Sequence, residues 1–159
     1  MSGADAVTTK EKSLLKGLIA GLIGGLAGTV AKTFAERMFP PRTHGEPEPS
    51  QLAAERVAGH ALTPATKAMA GKGIQWGFGA TAGAAYGAMA EFYPAATAKE
   101  GASFGLALEA LTHEGALPAL GLSAEPADMT TREHASEVTS HVVYGVATEF
   151  VRRWVRKLL

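Results

Sequence analysis

Glycine recurs at every fourth position in two apolar stretches of this chain: Gly17, Gly21 and Gly25, then Gly79, Gly83 and Gly87. A glycine inside a water-exposed helix costs roughly 0.5–1 kcal/mol relative to alanine, so two such series need a compensating use. Spacing of four lines the small residues up along one helix face and leaves a groove there. In a bilayer no hydrophobic drive holds helices together, and such grooves supply close van der Waals contact. In water the same grooves would forfeit buried apolar area. A flexible linker is excluded, because Leu, Ile, Phe and Trp are interleaved with the glycines throughout.

The 159 residues suit one domain. Residues 1–13 read as a polar tail, and 14–159 as a single membrane domain. Leu14–Ala31 carries one charge, Lys16; as a helix it would extend about 27 Å, against a hydrocarbon core of about 30 Å. A cleaved secretory signal is rejected, because the exit through Lys32, Glu36, Arg37 and Pro40-Pro41 has no clear small-residue cleavage site. Pro40–Pro49 holds four prolines and reads as an extended loop. Ser50 is placed to cap a short interfacial helix that ends near Thr63-Pro64. The four long helices are expected over about 14–38, 73–92, 101–122 and 136–157. Period-two β-branched runs are missing, so no strand is expected. The expected fold class is therefore all-α, a polytopic membrane protein with four transmembrane helices and a short interfacial helix between the first and second.

Charge placement agrees with four crossings. Lys10, Lys12 and Lys16 flank the first helix, and Arg152, Arg153, Arg156 and Lys157 close the last. Both flanks are basic, as the positive-inside rule asks of a cytoplasmic side. The connector before the last helix carries Glu125, Asp128 and Glu133 against Arg132 alone, which suits the opposite side. Both termini are thus expected on the cytoplasmic side of the membrane. Trp76, Tyr93 and Trp154 stand near segment ends, as interfacial anchors do. Lys plus Arg and Asp plus Glu are 15 each, so a nucleic-acid partner is not expected. The chain has no cysteine, which removes thiolate metal sites and cysteine nucleophiles. Nucleotide loops and nucleophile elbows are also missing. An enzyme and a bound cofactor are accordingly not expected.

The ionisable residues inside the apolar segments carry the chemistry. Glu109 and His113 share a face of the third helix; His134, Glu137 and His141 share a face of the fourth, with Glu149 two turns further on. A charge at the bilayer centre costs about 2.5–3.5 kcal/mol on insertion scales, so these groups should face each other or water. Lys32, Glu36, Glu91 and Arg152 are candidate counter-charges, with Lys32 and Glu36 spaced as an ion pair. Three uses stay open: hydrogen bonds that fix helix register, a proton- or ion-handling site at Glu109, His113, Glu137, His141 and Glu149, or a metal site. The metal use has the least support. Its candidate ligands are His113, His134, Glu137 and His141, but no E-x-x-H pair occurs twice. His44 and His60 read as ordinary loop or surface residues.

Several segments together resemble the YagU-like bacterial inner-membrane proteins. They are GLIAG at 17–21, AKTFAERMFPPR at 31–42, AEFYP at 90–94, HEGALPALGL at 113–122 and SEVTSHVVYGVATEFVRR at 136–153. The resemblance implies an integral helical protein of poorly defined activity, associated with survival in acid. By position, Lys32, Glu36, Arg42, Glu91 and His113 match the family's pattern, as do Pro118, Glu137, His141, Glu149 and Arg152. The expected function is support of proton or pH homeostasis through the Glu/His stripe. The alternatives are a structural subunit or assembly factor docking by its glycine grooves, and a membrane metal-binding protein. Expected partners are the lipid bilayer and either a second copy of the chain or a membrane complex.

Overall fold

The computed structural model describes residues 11–159; residues 1–10 of the expected polar tail lie outside the described residues. Six helices follow in order: α1 (Leu14–Met38), α2 (Pro49–Ala58), α3 (Pro64–Phe92), α4 (Ala102–Leu111), α5 (Leu117–Ala119) and α6 (Thr131–Leu158). The described residues are all-α, with no strand among them.

Local chemistry sets the helix ends. Ser13 caps α1, its hydroxyl accepting from the Lys16 N–H at 3.4 Å, and α1 stops before Pro40-Pro41. The α2 helix is capped differently from the expectation. Glu48 is its N-cap residue and Pro49 opens the first turn, so Ser50 already lies inside the helix. Proline suits that position because its missing N–H would be unpaired there in any case. Gly59, at φ 73°, ends α2 in the left-handed region that glycine enters freely. The α3 helix begins at Pro64 rather than near residue 73: Thr63 caps it by accepting from Thr66 N–H at 3.3 Å. Hydropathy marks where a helix turns apolar, whereas cap chemistry marks where it begins. Similarly, α6 starts before the expected residue 136. Thr130 and Glu133 form a capping box there, each side chain accepting from the other's backbone N–H at 3.3 and 3.1 Å.

The third expected helix, 101–122, is broken. Its helical course runs from α4 through a π-turn at Thr112–Ala116 into α5. Pro118 offers no N–H to the carbonyl of Glu114, and its ring would crowd that oxygen. The turn before it widens instead, with the Leu117 N–H bonding to the Thr112 carbonyl.

The long helices are packed through glycine. In the antiparallel pair α1 and α3, Gly17 faces Gly87, Gly21 faces Gly83, and Gly25 faces Gly79, each at backbone-to-backbone contact. A second seam joins α4 to α6, where Gly101 and Gly105 meet Gly145 and the His141 carbonyl. The other face of α1 lies on α6, with Gly24 and Gly28 against Tyr144, Thr148 and Arg152. The start of α1, the end of α3, the start of α4 and the end of α6 therefore lie together at one end of the bundle, the near end. At the near end Lys16 Nζ donates to the Leu159 carbonyl and Arg156 to that of Glu11. The far end holds α2, the Pro40–Pro49 loop and the π-turn. Here Lys67 bonds Glu55 at 2.7 Å, and Arg56 donates to the Leu120 carbonyl.

Polarity is inverted relative to a water-soluble bundle. Phe34, Leu111 and Phe150 are 64, 70 and 74% exposed, whereas Glu137 and Glu149 are 3 and 1% exposed. The buried residues of α1 are glycines, Ala20 and Thr29, while Leu15, Leu22, Val30 and Met38 point outward. By length and composition, α1 is the one helix among the described residues long and apolar enough to cross a membrane.

Candidate functional site

The inward face of α6 follows helical spacing: Glu133, Ser136, Glu137, Ser140, His141, Tyr144, Thr148, Glu149 and Arg152 are all buried. Its central helix position sends this polar stripe toward α1 on one side and α4 on the other. The stripe is not one site, however. Glu137 and Glu149 are twelve residues apart, about 18 Å along a helix, and each gathers its own partners.

Toward the far end, Glu137 sits among two imidazoles and two cations. His113 Nδ1 lies 3.6 Å from its Oε1 and His141 Nδ1 3.9 Å from its Oε2. Arg42 donates to Oε1 at 3.4 Å, and Lys32 Nζ stands 4.0 Å from Oε2 while also pairing with Glu36. The two imidazole rings meet edge to face with centroids 4.8 Å apart. His141 Nδ1 is 2.9 Å from the Glu137 carbonyl, a bond in which that nitrogen carries the proton. Its Nε2 is then left as the acceptor.

This cluster borders two cavities. The larger, about 760 Å³, lies between α1, α3, α4 and α6, and is lined by Lys32, Glu36, Trp76, His113, His141 and Tyr144. The smaller, about 120 Å³, includes Glu133 and Glu137. Arg42 and His113 line both cavities. An aromatic layer follows toward the near end: Tyr86 stacks on Phe104 at 4.2 Å, and Phe104 meets Tyr144 at 5.9 Å, with Tyr144 alone of the three lining the large cavity. The Tyr144 hydroxyl donates to the Gly79 carbonyl at 2.6 Å.

Beyond that layer, Glu149 is fully engaged. It accepts from Tyr86 at 2.7 Å, from Arg152 at 2.7 and 2.8 Å, and from Arg153 at 2.6 Å. Arg153 also reaches Glu100, and Arg156 pairs with Glu91. Glu149 and Arg152 thus belong to a closed ion network rather than to the Glu137 cluster, which separates them from the single path expected from sequence. Glu91 likewise finds Arg156 as its direct partner.

A third group forms where the π-turn meets α6. Glu109, Glu114 and His134 each bring one ligand-type atom within 4.8 Å of the others. His134, expected beside Glu137 and His141, instead places Nε2 3.4 Å from Glu114. The His113, Glu137 and His141 ligand-type atoms form a comparable trio.

Sequence reasoning did not single out Glu114 or Tyr86 as site residues, and it read the capping carboxylate Glu133 only as a connector charge. Glu133 Oε1 accepts from the Thr43 hydroxyl at 2.6 Å and its backbone N–H at 3.1 Å. The Thr43 and Thr130 hydroxyls hold this carboxyl at about 2, well below its ordinary 4.5. The spacing 133–137–141 could have revealed Glu133, whereas nothing local links it to Thr43.

Fold and site together define an all-helical, glycine-packed protein whose interior holds carboxylates, imidazoles and guanidinium groups. The chain belongs to DUF1440, a family described as a protein of unknown function, whose profile matches residues 26–150. No curated protein and no solved structure matches it.

Proposed function

We propose that the chain is a YagU-like, four-span inner-membrane protein with both termini in the cytoplasm, and that it supports acid tolerance by taking up protons at Glu137, His113 and His141. The inverted polarity carries the membrane reading: large apolar side chains cover the outside while the ion pairs are enclosed. In water, that arrangement would expose apolar area and bury charge at once. In lipid, both features are favourable. The spanning segments are α1, the apolar part of α3, the α4–α5 course, and α6 from about residue 136.

The Glu137 cluster suits proton uptake because it holds two imidazoles beside one carboxylate at the edge of a large cavity. A proton added to either imidazole enters a group already containing Lys32 and Arg42, so protonation weakens the packing of α1 and the Pro40–Pro49 loop on α6. The Tyr86–Phe104–Tyr144 layer separates this cluster from Glu149, which favours sensing from the far end over conduction through the bundle. Docking of a partner in the glycine grooves is less favoured, since the grooves fill each other within the chain.

Trp76 lines the same cavity and can report on it. In protein carrying Trp154→Phe and reconstituted in vesicles, Trp76 fluorescence should titrate as the pH is lowered into the acid range. Adding Glu137→Gln, or His113→Ala with His141→Ala, should abolish that titration and the protection of cells in acid. A variant with an unchanged pH profile and full acid survival would end the proposal.

A further inference from the structure

The group at the π-turn offers a different chemistry from the Glu137 cluster. Glu109 is 4% exposed, and its Oε1 has no hydrogen-bond partner among the described residues. Glu114, five positions on, would point well away from it in a regular helix, about 140° around the axis. The extra residue of the π-turn draws the two carboxylates onto one side, where His134 reaches them from α6. Among the described residues no Lys or Arg forms an ion pair with either carboxylate; the recorded pair is Glu114 with His134 at 3.4 Å. The trio around Glu137 differs here, because Arg42 and Lys32 already supply its positive charge and would oppose a metal ion.

We infer that Glu109, Glu114 and His134 form a binding site for a divalent first-row transition ion. Two carboxylates and one imidazole suit Mn²⁺, Fe²⁺ or Zn²⁺, and the neutral imidazole and ionised carboxylates are the binding forms. The His134–Glu114 separation already matches two ligands on one ion, whose bonds are about 2.0–2.2 Å long. Modest closure of the Glu109 side chain completes the set. Glu114 and His134 are partly exposed at the far end, which gives the ion a route in from solution. The bound ion would neutralise the orphan oxygen of Glu109 and fasten the π-turn to α6.

Titration of tag-free, chelator-stripped full-length protein in detergent tests this, with Mn²⁺ or Zn²⁺ added in the presence of excess Mg²⁺. The expected result is one ion per chain, with affinity at least about tenfold weaker in Glu109→Gln, Glu114→Gln and His134→Ala. His113→Ala and His141→Ala should leave the affinity unchanged, which separates this site from the Glu137 cluster. If burial makes Glu109→Gln unstable, the partly exposed Glu114 and His134 variants decide, with helicity checked by circular dichroism. No saturable binding, binding that survives Glu114→Gln and His134→Ala, or loss that follows His141→Ala would overturn the inference.

Discussion

Adding one methyl group at Gly83 tests the packing of the bundle most severely. A Cβ built there falls 2.5 Å from the Gly21 carbonyl oxygen, 2.5 Å from Gly25 Cα and 2.7 Å from Gly25 N. Ordinary contact begins near 3.4 Å, so the shortfall is about 1 Å, and all three atoms are backbone. No side chain can rotate away; α1 and α3 must part. Overpacking of this kind costs typically about 1–3 kcal/mol, and alanine's better helix propensity returns roughly 0.5–1 kcal/mol. The net expectation for Gly83→Ala is a loss of about 0–2.5 kcal/mol, centred slightly above about 1 kcal/mol. Gly77 supplies the internal control, because its Cβ would meet nothing within 4 Å. Gly77→Ala should be neutral or stabilising by up to roughly 1 kcal/mol. Unfolding by SDS in mixed micelles, followed by circular dichroism, measures both. Midpoints for the two variants within about 0.5 kcal/mol of each other would refute the reasoning, since that is the scatter of substitutions that touch nothing.

Three further outcomes follow from the ion pairs and the π-turn. Arg152→Ala removes the two-pronged partner of Glu149 and leaves that carboxylate buried with Tyr86 and Arg153. The cost should fall near the low end of the 3–5 kcal/mol range for a broken buried pair, about 3 kcal/mol in the same micelle assay. Glu133 lies ahead of the proposed spanning part of α6, and its folded value of about 2 is below the unfolded 4.5. Its contribution is therefore complete above about pH 4.5 and is lost as pH falls toward 2. Thr43→Val removes the first of its stabilising hydrogen bonds, so amide exchange at the start of α6 should accelerate at a higher pH than in the parent chain. Pro118→Ala restores an N–H to the helix and should let the π-turn relax to α geometry. The relaxation would separate Glu114 from Glu109 and lower metal affinity while leaving Gly83-dependent stability unchanged.

Much of the fold was legible because its determinants are local. The two glycine series carry their own spacing, and the caps at Ser13, Thr63 and Thr130 are short-range patterns that place helix starts more closely than hydropathy does. Pro118 stands inside the expected 101–122 helix, and the expectation runs straight through it. Its consequence, an extra residue in the turn that re-aims Glu114, depends on the hydrogen-bond register of the surrounding helix. The candidate site was half legible for the same reason. Residues 137 and 141 share a face by spacing alone, and the Lys32–Glu36 pair is likewise an i,i+4 contact. Which helix faces which cannot be counted from spacing. The convergence of Arg42 on Glu137, the Thr43–Glu133 bond and the separation of Glu149 behind an aromatic layer are all long-range consequences of packing. The Gly145 seam escaped notice because its partners, Gly101 and Gly105, lie on another helix.

The central claim is that the inverted bundle spans the bilayer with its two ends on opposite sides. The absence of cysteine makes site-specific labelling clean. Single substitutions Thr97→Cys and Lys157→Cys mark the near end, and His60→Cys and Ala124→Cys mark the far end; His60, Ala124 and Lys157 are exposed and Thr97 is half-buried. Intact cells are treated with a membrane-impermeant maleimide and compared with lysed cells. His60→Cys and Ala124→Cys should label in intact cells, and Thr97→Cys and Lys157→Cys only after lysis. Identical behaviour of Thr97→Cys and Ala124→Cys in intact cells, both labelled or both protected, would contradict the account.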